Sequence, residues 1–155
     1  MAITSAICNS FKQEILVEGH NFTNGSDTFK LALYSSNSAT LSKSTTAYTA
    51  PTDGTADPTN TYEVTSTSSG YTTGGNALTS TTPVLSGDTA CCKFADTSWG
   101  SSASFTARGC LIYNSTNANK AVCAINFGAN KTVTSGTFTI QFPAQTAGNA
   151  IIQIA

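Results

Sequence analysis

From residue 77 onward the chain is cut into short apolar or alternating runs by turn-forming residues, and this punctuation limits the fold more than any other feature. The runs are 77–82, 89–94, 104–113, 121–127, 136–142 and 150–154, separated among others by Gly87-Asp88, residues 114–119, residues 128–130 and Ser135-Gly136. In the fifth run Phe138, Ile140 and Phe142 alternate with Thr137, Thr139 and Gln141, the period-two pattern of a strand with one buried face. Residues 121–125 are apolar on both faces, as in a central strand covered from two sides. An earlier run, 28–34, sets Phe29, Leu31 and Leu33 against Lys30, Ala32 and Tyr34, after an Asn24-Gly25 turn signal. Strands at this spacing predict an all-β fold, an antiparallel β-sandwich or barrel of jelly-roll-like type.

Residues 4–18 carry the one helical signal. Ile7, Phe11 and Ile15 recur at i, i+4 and i+8, Ile3 lies one turn earlier, and Lys12, Gln13 and Glu14 fall mostly off this stripe. Thr4 or Ser5 is placed to cap the start and Gly19 to stop the end. The expected element is a short N-terminal α-helix that docks its stripe on the sheet or on another subunit. Residues 35–61 offer little to bury, with Leu41, Tyr48 and a few alanines among Ser, Thr, Asn, Pro51, Gly54 and Pro58. A long polar loop is expected there, with residues 51–58 reading as an insertion. At 155 residues the chain has the size of a single domain.

Composition narrows the partners. Charged residues make up 10% of the chain against about 25% in an average protein, while Ser and Thr supply roughly three residues in ten. The net charge of -1 provides no basic footprint for nucleic acid or for an anionic membrane surface, so neither partner is expected. No apolar run approaches the ~18 residues of a membrane span, and the N-terminus lacks the charged-then-apolar order of a signal peptide. The chain is therefore expected to be soluble and made in the cytosol.

The constellations that carry chemistry are sparse. His20, beside Gly19 at a helix-to-strand junction, is the one histidine, and a capping or solvated imidazole is its ordinary role. No G-x-S-x-G elbow, H-E-x-x-H helix, phosphate-binding glycine loop or dinucleotide fingerprint is present. The carboxylates Glu14, Glu18, Asp27, Asp53, Asp57, Asp88 and Asp96 are scattered rather than paired as a glycosidase needs, and Asp53 and Asp57 do not fit an EF-hand loop. Cys8, Cys91, Cys92, Cys110 and Cys123 are odd in number and lack the C-x2-4-C knuckles of zinc sites, so they read as reduced, buried side chains. Trp99, Tyr71, Tyr62 and Phe105 can in principle form a sugar-stacking platform, although core packing is the commoner role of such rings. Catalytic residues, cofactors and metals are thus not expected.

Several blocks together resemble a family of small structural proteins encoded by tailed bacteriophages, often in or near their head-gene clusters. They are residues 1–12 (MAITSAICNSFK), 29–34 (FKLALY), 70–75 (GYTTGG), 105–114 (FTARGCLIYN) and 136–143 (GTFTIQFP). The chain departs from the family pattern in its enlarged 51–58 loop and its extra cysteines. The resemblance implies a non-enzymatic virion component assembled in the host cytoplasm, most concretely a capsid cement or decoration protein. Its partner would be the major capsid protein, with self-association on the shell. Ile3, Ile7 and Phe11 are the expected helix anchors, Tyr48 and Tyr62 further contact residues, and the 35–61 loop a contact segment. A tail, neck or fibre component is the alternative, as is a carbohydrate-binding surface module using Trp99 and Tyr71.

Overall fold

The alternating runs of the sequence form strands, but the chain divides them differently from the pattern of turn residues. A computed structural model describes residues 2–36, 38–49, 62–65 and 70–155. Its elements, in chain order, are β1 (Ala6–Ile7), α1 (Asn9–Glu14) with a 3-10 turn at Ile15–Val17, β2 (Phe29–Tyr34), β3 (Asn76–Leu78), β4 (Ser80–Ser86), β5 (Thr89–Phe94), β6 (Thr97–Asn114), β7 (Lys120–Ile140) and β8 (Ile152–Ile154). All pairings are antiparallel, and the strands form a five-stranded sheet, β1-β7-β6-β2-β3, and a three-stranded sheet, β4-β5-β8. The fold is an all-β sandwich with a short N-terminal helix, as the sequence predicts.

The long hairpin β6-β7 organises the larger sheet. Turn signals at 128–130 and 135–136 do not end a strand; the runs 121–127 and 136–142 join into one strand of 21 residues. The extra residues are absorbed as a bulge, since Ala107 faces Lys131 while Gly109 faces Asn126. Bulging preserves most of the ladder while bending the ribbon, which satisfies more backbone groups than a break would. Conversely the run 77–82 is split. Residues 76–78 pair with β2 and residues 80–86 pair with β5, so the chain changes sheets at Thr79.

The predicted helix over 4–18 is corrected to Asn9–Glu14 plus its 3-10 turn. Residues ahead of it are extended: Thr4 N donates to Leu41 O at 2.8 Å, Ala6 and Ile7 pair with Ala124 and Cys123, and Cys8 N donates to Val122 O at 2.9 Å. Cys8, not Thr4 or Ser5, occupies the N-cap position. The physical reason is competition for hydrogen bonds. An extra helical turn would satisfy only its own backbone, whereas the extended segment also pairs the edge of β7 and keeps Ile3 buried. The left-handed residue that closes the helical region is Glu18 (φ 57°), one position before the expected Gly19.

Buried side chains form one cluster spanning both sheets. Phe22 stacks on Phe29 at 4.4 Å between ring centroids, Phe94 of the smaller sheet packs on Phe29 at 5.5 Å, and Phe142 meets Phe94 at the same distance. A second group joins Tyr71, Trp99, Phe105 and Phe138. In the described part of residues 35–61 the few apolar side chains that the sequence offers, Ala39, Leu41 and Tyr48, are buried, together with Thr45. Asn9 N donates to Lys43 O and Tyr48 N to Asn119 O, each at 2.8 Å, so this segment is tied to both the helix and the β6-β7 turn. The proposed insertion at 51–58 lies outside the described residues.

Candidate interaction surface

Two polar networks gather the buried Glu63 and His20. In the first, Glu63 accepts from Tyr71 Oη at 2.7 Å, from Gly74 N at 2.7 Å and from Tyr48 Oη at 2.9 Å. Tyr113 Oη donates to Gly74 O at 2.8 Å and its ring stacks on Tyr48 at 4.4 Å. Burial raises the Glu63 carboxyl above its ordinary range despite the three donors, and burial together with the facing carboxylate raises both tyrosines. Every partner is committed to another, so the cluster pins residues 48, 63 and 71–74 onto the sheet.

In the second network the His20 imidazole contacts Glu14 Oε2 through Nε2 at 2.9 Å and Asn114 Nδ2 through Nδ1 at 3.2 Å. Asn114 Nδ2 also donates to Asp27 Oδ2 at 2.7 Å, and its Oδ1 accepts from the amides of Thr116 and Asn117. Those partners fix the amide orientation, so Nδ1 accepts and Nε2 carries the proton toward Glu14. Lys120 Nζ stands 3.6 Å from Glu14 Oε1. The Glu-His pair therefore closes on itself: the imidazole is fully covered and packs on Phe11 at 4.9 Å. Both ring nitrogens are engaged, one with Glu14 and one with Asn114.

All five cysteines are unpaired, and Cys8, Cys91, Cys110 and Cys123 are buried. Burial pushes the Cys8 thiol up to about 11, with Glu14 adding to the rise, and Cys123 up to about 12. Such thiols are weak nucleophiles at neutral pH. Among the described residues no group of His, Cys, Asp or Glu is arranged to hold a metal ion. No helix among them is long and apolar enough to cross a membrane.

The residues singled out from the sequence for contact are mostly interior. Ile3, Phe11 and Tyr48 are buried, Ile7 is half-buried in β1, and Tyr62 is half-buried. Ile3, Phe11 and Tyr48 therefore have no surface to offer while the chain is folded: the core consumes the stripe that singles out Ile3 and Phe11, and Tyr48 is held by Glu63 and Tyr113. Trp99 and Tyr71 are likewise buried at 3% exposure, which removes the proposed sugar platform. Tyr71 instead donates to Glu63 and accepts from Leu33 N at 3.0 Å.

The exposed apolar side chains lie elsewhere. Leu16 (83% exposed), Leu85 (76%), Val17 (70%), Ile154 (54%) and Val84 (46%) stand out from the surface. Leu85, Ala90 and Ile154 form one cross-strand row of the smaller sheet. Ala90 and Ile154 then join Ile15, Phe22, Pro83 and Cys92 around a hollow of about 610 Å³, whose remaining lining is the polar run Glu18, His20, Asn21 and Thr23. Leu16 and Val17 follow Ile15 in the chain, and Leu85 shares the row of Ala90 and Ile154, whereas Val84, its neighbour along β4, takes the opposite face. The hints were present in the sequence. Ile15-Leu16-Val17 and Val84-Leu85 are adjacent aliphatics, and neither a helical stripe nor a strand with one buried face can take neighbours on the same side. Comparisons with protein-family models, curated proteins and solved structures give no significant match.

Proposed function

We propose that this chain is a non-enzymatic structural protein of a bacteriophage virion, a cement or decoration protein that docks on the major capsid protein through the apolar end of its sandwich. The observation that carries the reading is the set of exposed aliphatics bordering the hollow's lining: Leu85 and Ile154 on one cross-strand row, and Leu16 and Val17 next to Ile15 in the chain. Large aliphatics left at this exposure are a mark of interaction surfaces when they adjoin one another, as Leu85 and Ile154 do across Ala90. Covering Leu16 and Leu85 contributes roughly 1.5–3 kcal/mol each before association costs, and many equivalent sites on a shell add stabilisation by mass action. The closed Glu14-His20 and Glu63 networks favour a structural role over catalysis, and the low charge suits copies packed side by side. The resemblance in residues 1–12, 70–75 and 105–114 supplies the phage setting.

The test is occupancy on the parent particle, read by electron cryo-microscopy, for wild type and for the Leu16→Asp/Leu85→Asp double variant. Hundreds of copies on the shell and a marked loss of density in the variant are expected. Particles stripped of the protein should release DNA under milder heat or osmotic shock. A copy number of about a dozen or fewer would overturn the cement role in favour of a tail or neck position. Undiminished occupancy of the double variant would remove the apolar end as the docking surface.

A further inference from the structure

A second concave site lies away from the apolar end, where the β6-β7 ribbon bends. The bulge after Asn126 and the return of the chain along 142–151 leave a cleft of about 490 Å³, walled by Ile125 and Phe127 from one half of β7, Phe138 and Ile140 from the other, and Phe142 and Ile151 beyond it. This volume falls within the range of small-molecule sites, about 300–1,000 Å³. Its wall is preformed. Asn126 N donates to Ser5 Oγ at 2.9 Å, while Asn126 Nδ2 donates to Ile3 O at 2.7 Å and its Oδ1 accepts from Gly128 N at 2.8 Å. Gly128 at φ 77° then turns the backbone behind Phe127, a conformation open to glycine at little cost.

Lys131, exposed to solvent, is the one charged residue in this lining, and no described carboxylate lies within ion-pair distance of its ammonium. Gln141 and Thr139 supply neutral polar groups on the same lining. An occupant that complements the site has an apolar body for the rings and a single negative end for Lys131. We propose that the cleft binds a small amphipathic carboxylate, its alkyl or aryl chain against Phe127, Phe138 and Ile140 and its carboxylate on Lys131. This site is independent of the apolar end and of any capsid role.

Trp99 is the chain's single tryptophan, and its ring lies 5.9 Å from that of Phe138, so its emission reports on the cleft. Titration with ω-bromodecanoate below its micellar concentration should quench Trp99 saturably, and unbrominated decanoate should reverse the quenching. Lys131→Met, at an exposed position, should weaken decanoate by about three- to fivefold while leaving the brominated alcohol unchanged. Ile151→Phe, which fills the cleft from its irregular side, should abolish quenching by both. Absence of saturable quenching in the wild type overturns the site. Equal binding of acid and alcohol, both indifferent to Lys131→Met, overturns the carboxylate assignment. A dimer in sedimentation that excludes decanoate and is lost in Ile151→Asp gives the cleft to a second copy and overturns the ligand.

Discussion

Glu63 shows how much a single side chain can hold in a chain with few charges. Its carboxylate gathers two tyrosine hydroxyls and the Gly74 amide from segments the sequence keeps apart. Glu63→Ala leaves those donors buried without an acceptor and should cost about 2–4 kcal/mol in urea denaturation. The pH dependence has a definite sign. Burial raises the folded carboxyl above its ordinary value of 4.5, so the folded chain holds this proton more tightly than the unfolded one. The associated stability is complete below that ordinary value and is lost as pH rises through the raised one. The difference in unfolding free energy between wild type and Glu63→Gln should accordingly shift against the wild type as pH climbs from about 4 to 7. The thiols are a second test at this scale. Native protein at neutral pH should react slowly with a thiol reagent, beginning at half-buried Cys92, and all five cysteines should react after denaturation. Residue types predicted the buried cysteines, whereas the Glu63 cluster was not legible, because a carboxylate's partners across 8–15 residues depend on where the chain returns.

At the scale of elements, tertiary pairing decided where local signals were weak or double. Residues 4–8 carry the spacing of a helix, yet the edge of β7 claims them as an extended segment. Phe11 falls on the helix face as predicted, but it packs against His20 and Phe22 in the core. Phe11→Asp is therefore expected to unfold the domain, by more than about 3 kcal/mol, and circular dichroism should show lost structure rather than a folded domain with a damaged contact. The Gly70-Gly75 segment illustrates a signal that sequence reading located without its reason. A Cβ on Gly75 would lie inside van der Waals contact of the Leu31 carbonyl, and its φ is 74°. Gly75→Ala should separate β3 from β2 and cost about 3 kcal/mol or more, measurable as a lowered melting temperature.

For the whole molecule, stability and interaction are carried by different surfaces. Leu16 and Leu85 touch little of the core, so the Leu16→Asp/Leu85→Asp variant should unfold within about 0.5 kcal/mol of the wild type per site; a large loss would mean that these side chains support the fold. Period-two alternation and regular turn residues by themselves determined an antiparallel β fold, because a strand's two faces are written directly into neighbouring residues. The helical stripe determined one short N-terminal helix, although not its start. What the sequence alone could not decide was the division of strands between sheets, the continuation of β7 through glycine-containing turn signals, and which aliphatics are left outside. Those depend on backbone hydrogen bonds and core volume contributed by residues far along the chain, and a hydrophobic side chain carries no local mark of whether its place in that core has already been taken.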